Sequence, residues 1–216
     1  MRNQQSGFTL VEIAIVLVII GLLLGGVLKG QELITQAKIK NVANDFNGLT
    51  AAVYSYQDRY KRLPGDDPGA TRWAIIPAAT ATQANIGNSI VNGAYESTTN
   101  TDESRLFWAD LRAAGFVAGD GSTLASAVVQ PLNAAGGIVG AQNGAFGLTG
   151  LVICSGSLPA KIAQSIDSQF DDGNAMTGNV RALIEGAAPP TAVTATVPTA
   201  NYVDNGTNVY VLCKNI

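Results

Sequence analysis

The chain has 216 residues and a net charge of −3, with 13 basic side chains, 16 acidic side chains, two cysteines and no histidine. The lack of histidine excludes the usual Ser-His-Asp and Cys-His catalytic arrangements and every His-ligated metal site, so no enzymatic activity is expected. Residues 63–216 hold six basic and twelve acidic residues. They lack the clustered Lys and Arg side chains that bind nucleic acid tightly, so no nucleic-acid partner is expected either.

An almost uninterrupted apolar run from Ile13 to Leu28 begins directly after Glu12. The segment is long enough to form a helix that crosses a bilayer. A charged side chain at the centre of a membrane helix costs roughly 2.5–3.5 kcal/mol and usually has a partner. No Lys, Arg or His lies between Phe8 and Leu28. Cleavage after Gly7 would give Phe8 an α-amino group one helical turn before Glu12, where it can pair with Glu12 of the same chain or of a neighbouring copy.

The N-terminus resembles that of a known family. A short polar leader with Arg2 precedes the run Gly7-Phe8-Thr9-Leu10-Val11-Glu12, and this arrangement is similar to the processing site of type IV prepilins and type II secretion pseudopilins. The resemblance implies that a prepilin peptidase removes the leader, residues 1–7, and methylates Phe8, and that Glu12 guides the docking of subunits. It also implies several partners: other copies of the chain or related pilins, an assembly platform in the inner membrane, and membrane lipid.

Two other interpretations of the N-terminus stay open. A secretory signal peptide has a basic start, a short apolar region and a small-residue cleavage site after that region. Here the apolar run follows a carboxylate and leads into Lys29-Gly30-Gln31-Glu32, which offers no such site. The other alternative is a plain membrane anchor that is neither cut nor assembled.

The predicted orientation in the membrane depends on which side of the membrane the leader occupies. Lys29, Lys38 and Lys40 follow the apolar run, whereas the leader has only Arg2. Counting these charges alone would place the large C-terminal part in the cytoplasm. The resemblance implies instead that the leader stays cytoplasmic. We therefore expect a single-pass protein of the bacterial inner membrane with a periplasmic head, which later enters a pilus or a periplasmic pseudopilus.

Residues 8–28 form the expected transmembrane or filament-core helix, and residues 29–62 are expected to continue it. Apolar side chains recur there at spacings of three and four, which is typical of one helical face. They are Ile39, Val42, Phe46, Leu49, Val53, Tyr56 and Tyr60. Many major type IV pilins have a helix-breaking proline near the position of Lys29. This chain has none, which favours a continuous helix like that of a pseudopilin, or a pilin helix that softens at Gly25-Gly26.

Residues 63–216 are predicted to form an α+β head. Asp102 is placed to cap a short helix over residues 103–114, and Ser157 is placed to cap a helix that ends near Phe170. Strands are predicted at residues 151–154 and 180–184. A hairpin is predicted around Asp204-Asn205-Gly206, between residues 202–203 and 209–212. The resemblance implies an antiparallel sheet packed against the amphipathic half of the long helix.

The two cysteines, Cys154 and Cys213, are too few for a zinc site of the common four-ligand kind. A disulfide is the simpler interpretation, and it suits an oxidising compartment. It would close a loop of about sixty residues, for which the chain-entropy model gives roughly 4 kcal/mol of stabilisation.

An oxygen-rich cluster is the candidate metal site. Asp167, Asp171, Asp172 and Asn174 lie close in sequence, and the first two lie one turn apart on the predicted helix, where like charges repel. Calcium takes several oxygen ligands and would relieve this repulsion. The alternative is a solvated helix end. The pair Asp66-Asp67 is interpreted as part of a plain turn, because Pro and Gly flank it. No cofactor is otherwise required.

These observations favour a filament subunit held in the inner membrane until assembly. The leading prediction is a type IV pilin, and the close alternative is a pseudopilin of a type II secretion system. A hypothesis of another class is a membrane-anchored calcium-binding or adhesive domain that never polymerises.

Overall fold

The computed structural model describes residues 9–76, 86–186 and 197–216. The chain divides into two units, residues 1–38 and 39–216. The fold is α+β, as predicted from the sequence: a long N-terminal helix precedes a head that contains a four-stranded antiparallel sheet.

The first helix, α1, runs unbroken from Leu10 to Tyr60. Its second half buries the predicted stripe, with Ile39, Val42, Phe46, Leu49, Val53 and Tyr56 in the core and Tyr60 packed at its edge. This part of α1 shares one hydrophobic core with the sheet and with two shorter helices. The prediction of an amphipathic helix packed on the head is therefore confirmed.

Four strands form the sheet: β1 (Val139–Ala145), β2 (Leu148–Pro159), β3 (Val180–Ile184) and β4 (Val209–Asn215). Their order is β1-β2-β4-β3, with every neighbouring pair antiparallel. The predicted strands at 151–154 and 180–184 are confirmed, although β2 is longer than predicted. The sequence analysis missed β1, whose residues VGAQNGA are poor in β-branched side chains.

Three further α-helices belong to the head: α2 (Glu103–Ala113), α3 (Leu124–Ala127) and α4 (Ala160–Phe170). The helices α2 and α4 share the main core with the sheet, and α3 packs against α2. The prediction for α2 is confirmed, with Leu106, Phe107 and Leu111 buried. Asp102 stands at the N-cap position, but its side chain does not bond the α2 backbone. Its carboxylate accepts a hydrogen bond from the Ser97 hydroxyl at 2.5 Å instead. The predicted capping bond is therefore wrong.

The prediction that Ser157 caps α4 is also wrong. Ser157 lies within β2, and α4 begins at Ala160. The Ser157 backbone has a φ of +53°. Its N–H donates to Glu185 Oε1 at 2.5 Å and its hydroxyl donates to Glu185 Oε2 at 3.2 Å. Ser157 therefore lies two residues before Pro159, which holds the N-cap position of α4, and its side chain bonds Glu185.

The predicted C-terminal hairpin is wrong as well. β4 pairs with β2 and β3, and residues 202–203 form no strand. The Tyr202 hydroxyl donates to Asp167 at 2.7 Å, and the Val203 N–H donates to the Tyr210 hydroxyl at 2.8 Å. The Asn205 side chain accepts backbone bonds from Thr207 and Asn208. Side chains therefore accept hydrogen bonds from the backbone N–H groups of Val203, Thr207 and Asn208, which were expected to pair within a hairpin.

Candidate functional site

Glu12 and Thr9 bond each other at the start of α1. The Thr9 N–H and hydroxyl each donate to Glu12 Oε2 at 2.8 Å, and the Glu12 N–H donates to Thr9 Oγ1 at 3.3 Å. This reciprocal pattern is a capping box, which satisfies N–H groups that the helix itself leaves free. Gly7 and Phe8, the predicted cleavage and methylation site, lie outside the described residues.

The apolar half of α1 presents its side chains outward. Every large apolar side chain from Leu10 to Leu28 is exposed, with exposed fractions from 46% at Ile13 to 90% at Leu10. These side chains surround the helix and do not form a stripe. Among the helices that the structure describes, α1 is the one with the length and apolar composition to cross a membrane.

The exposed apolar part of this helix lies within a sequence motif that is known in other proteins. Residues 2–28 match the family model of the prokaryotic N-terminal methylation motif. The chain carries the N-terminal signature of type IV prepilins and pseudopilins. In general, this prepilin signature implies processing by prepilin peptidase, membrane anchoring of the precursor and assembly into filaments of structural subunits. No curated protein and no solved structure matches the chain.

The capping box changes the interpretation of Glu12. The apolar run holds no cation near Glu12. The unpredicted partner is Thr9, which is three residues earlier and supplies two uncharged donors. The spacing Ser/Thr-x-x-Glu before an apolar run was the available signal. Glu12 is thus hydrogen-bonded within its own chain, while its charge is not neutralised by these bonds.

The head is closed by a disulfide between Cys154 and Cys213, which are fifty-nine residues apart in sequence. The two residues face each other directly in the β2–β4 pairing, with 4.0 Å between their Cα atoms. Both side chains are fully buried, in a second hydrophobic cluster that also contains Tyr95, Val152 and Val211. The disulfide therefore cross-links the two central strands of the sheet.

The structure brings together three members of the predicted metal cluster. One carboxylate oxygen from each of Asp167, Asp171 and Asp172 lies within 4.8 Å of the others. Asp167 is buried, and burial raises the pKa of its carboxyl, with the charges of Asp172 and Asp171 adding to the effect. The Asn174 amide oxygen accepts a bond from the Met176 N–H at 3.2 Å.

The same three carboxylates already accept hydrogen bonds. Asp167 accepts from Gly173 N–H and from the Tyr202 hydroxyl, and Asp172 accepts from the Thr177 hydroxyl at 2.5 Å. Asp171 accepts from the N–H groups of Asn179 and Val180. These bonds fix the carboxylates and leave lone pairs for a cation, because each oxygen offers more than one acceptor site.

Asp66 and Asp67 lie in a turn, as predicted, but they are buried side chains with defined partners, which the sequence analysis did not expect. Asp67 Oδ2 accepts from the Tyr56 hydroxyl at 2.7 Å and pairs with the Arg72 guanidinium at 2.7 Å. Asp66 accepts backbone N–H bonds from Gly87 and Ser89. The pair organises the exit from α1.

Proposed function

We propose that this chain is the structural subunit of a type IV pilus-like filament. Prepilin peptidase would cut after Gly7, and the head would lie in the periplasm until assembly. The observation that carries the proposal is the methylation motif at residues 2–28 together with the apolar side chains within it, Leu10 to Leu28, which are exposed on all sides of the helix. No enzymatic role is proposed.

The exposed apolar side chains from Leu10 to Leu28 give the chain a physical reason to assemble. Apolar side chains exposed around a whole helix are unstable in water, where burial is worth about 25 cal/mol per Å² of apolar surface. A bilayer can cover them before assembly, and equivalent helices of neighbouring copies can cover them in a filament. Such a helix can therefore pass from lipid into a helical bundle without exposing its apolar surface to water.

Glu12 gives the assembly a defined register in this proposal. A carboxylate within the apolar surface is costly unless it is compensated. The methylated α-amino group of Phe8 keeps its positive charge. A neighbouring copy displaced along the filament axis would bring this amine to Glu12. The capping bonds from Thr9 orient the carboxylate without neutralising it, so the charge remains available for that pairing.

One observation favours the alternative of a type II secretion pseudopilin. The helix α1 continues without interruption through Lys29, where many major pilins have a proline. An uninterrupted helix at this position is the pattern expected of a pseudopilin.

The cation-binding capacity of the acidic cluster remains a proposal too. Asp167, Asp171 and Asp172 provide three negative charges around one point, and calcium is the cation that accepts such irregular oxygen ligands. Asn174 would complete the set through its carbonyl or side-chain oxygen. Calcium should then raise the thermal midpoint of the wild-type protein, and Asp172→Asn should remove this response.

One set of experiments separates the functional candidates. The full-length chain, with its leader, is expressed in a strain from which its gene has been deleted, and filaments are sheared from the cell surface. Secretion is measured in the deletion strain with and without the expressed chain. Surface filaments that contain the chain support the pilin. A secretion defect without surface filaments supports the pseudopilin. A protein that keeps its leader and forms no polymer would favour the membrane-anchored calcium-binding or adhesive domain.

A further inference from the structure

The head has an open apolar cleft of about 300 Å³ beside the second half of α1. One wall is α1, and the opposite wall comes from the segments after α2 and before β1. The apolar lining includes Leu49, Trp108, Phe116, Val117, Leu132 and Val139. Trp108 is fully buried, whereas Leu132 is 65% exposed. The cleft therefore reaches from the core of the head to its surface.

Gly48 lines the cleft on the α1 side. A Cβ atom built on Gly48 would meet no atom within 4 Å in the part of the chain that the structure describes. A glycine inside a helix lowers its stability relative to alanine. The described contacts give no reason for this loss, whereas an occupant that approaches the α1 backbone closely would give one.

Asp45 gives the cleft a negative charge. Its carboxylate forms no ion pair within residues 9–76, 86–186 and 197–216. Partial burial raises the pKa of this carboxyl, because the charged form loses solvation. An occupant that suits the cleft therefore combines an apolar side chain with a positive charge.

The chain itself carries such a segment in α1, at Leu33 and Ile34. Both side chains are 60% exposed. The apolar run over residues 10–28 spans roughly 28 Å at 1.5 Å per residue, which fills a hydrocarbon core of about 30 Å. Leu33 and Ile34 lie beyond this run, so the bilayer core does not cover them.

Lys38 gives the same segment a positive charge. It lies four residues after Ile34, a spacing that puts both side chains on one helical face. Lys38 forms no ion pair among the described residues either. Residues 1–62 hold seven basic and four acidic residues, whereas residues 63–216 hold six basic and twelve acidic ones. The first segment of one copy is thus attracted to the head of another.

We propose that the cleft binds residues 33–38 of a second copy of this chain, with Ile34 seated against α1 and Leu132 and with Lys38 paired with Asp45. The contact rests on the proposed filament, which brings copies side by side. The cleft and residues 33–38 are different surfaces, so the contact is heterologous. A heterologous contact that does not close into a ring repeats into an open helical polymer. It would fix the head of each copy against its neighbour.

Filling the cleft tests this contact. Full-length Gly48→Leu, expressed with its leader, should keep or exceed the thermal midpoint of the wild type, because leucine favours the helix and the added side chain meets open space. Filament yield at equal membrane levels should fall by more than about tenfold, because the cleft would be overpacked when a second copy docks. Gly48→Ala is the matched control, which leaves the cleft open and should keep the wild-type yield.

Exchanging two charges tests the pairing of Lys38 with Asp45. Asp45→Lys and Lys38→Glu each place like charges together, and each should lower filament yield by more than about tenfold. The double variant restores opposite charges and should recover most of the wild-type yield. Lys40→Glu changes an exposed lysine outside the contact and should leave the yield unchanged.

A cross-link tests which surfaces meet. Ile34→Cys combined with Leu132→Cys should give disulfide-linked dimers when sheared filaments are oxidised, while the two native cysteines stay bonded to each other. Ile34→Cys combined with Tyr54→Cys is the control, which should give no dimers. Tyr54 is exposed on α1 and does not line the cleft.

A wild type that forms no polymer would contradict the proposed filament and, with it, this contact. Wild-type filaments whose yield is unchanged in Gly48→Leu would overturn the cleft contact alone. The same conclusion follows if the charge-exchanged double variant yields no more filaments than its single variants, or if Ile34→Cys combined with Leu132→Cys gives no dimers.

Discussion

The carboxylate Oδ2 of Asp110 accepts a hydrogen bond from the backbone N–H of Gly65 at 2.6 Å, forty-five residues earlier in the chain. Gly65 has a φ of +86°, and a side chain there would collide with the backbone carbonyl of Glu103. The bond therefore fixes α2 against the tight turn that leads out of α1. Burial raises the pKa of Asp110 to about 8, and the charge of Asp67 adds to the effect.

This pairing predicts a pH-dependent stability. Between about pH 4 and pH 8 the folded protein holds a proton on Asp110 that the unfolded chain has released, so stability should fall as the pH rises, by up to about 1.4 kcal/mol per pH unit. Asp110→Asn keeps an acceptor for Gly65 without titrating. The variant should lose this slope and exceed the wild type in stability at pH 9. Denaturant unfolding across this pH range is the measurement, with exposed Asp58→Asn as the control.

Tyr56→Phe should destabilise the head by about 1–3 kcal/mol, because the Tyr56 hydroxyl donates to a buried carboxylate oxygen of Asp67. Tyr54→Phe is the matched control on the same helix, since Tyr54 is 54% exposed, and it should stay within about 0.5 kcal/mol of the wild type. Equilibrium unfolding of the two variants gives the comparison. Equal stabilities of the two variants would contradict the assigned role of this bond.

Removal of the disulfide should cost about 2–5 kcal/mol of stability. The double variant Cys154→Ala, Cys213→Ala avoids a free thiol, and its unfolding is compared with that of the oxidised wild type. Non-reducing peptide mapping of protein taken from cells should find the two cysteines linked. Free thiols in that material would rule out the cross-link between β2 and β4.

Mass spectrometry of the mature chain should find a methylated Phe8 at the N-terminus. A small residue before the cleavage site and a bulky residue after it suit the prepilin peptidase that the motif implies. Replacing Gly7 with leucine should leave residues 1–7 attached. An N-terminus beyond residue 20 would point to a signal peptide instead.

Glu12→Ala should leave the protein in the membrane while filament yield falls strongly. Insertion should not suffer, because a charge is removed from an apolar helix. Glu12→Gln separates two roles of the side chain: it keeps the capping bonds with Thr9 and loses the charge. Sheared filament yield at equal membrane levels is the measurement. Loss of filaments in both variants supports charge pairing, whereas normal yield from Glu12→Gln would assign the effect to capping alone.

The long helix was predictable because its signals are local. The spacing of apolar residues from Ile39 to Tyr60 sets its buried face, and that face depends only on the helical period. Strand β1 was not predictable in this way. Its residues carry little strand preference, and β1 becomes a strand because β2 pairs with it, for example Gln142 with Val152. Strand preference depends on neighbours that the sequence does not place.

The sequence by itself determined the motif at residues 2–28, the apolar run from Ile13 to Leu28 within it and the pairing of the only two cysteines. The motif and the apolar run depend on residues that are adjacent in sequence. The cysteine pairing follows because the chain has no third cysteine. Only the tertiary structure decided that Asp66, Asp67 and Asp110 are buried. It also decided that Ser157 donates a hydrogen bond to Glu185 and does not cap a helix. A buried polar group needs a partner, and here the partners come from distant parts of the chain that only folding brings together.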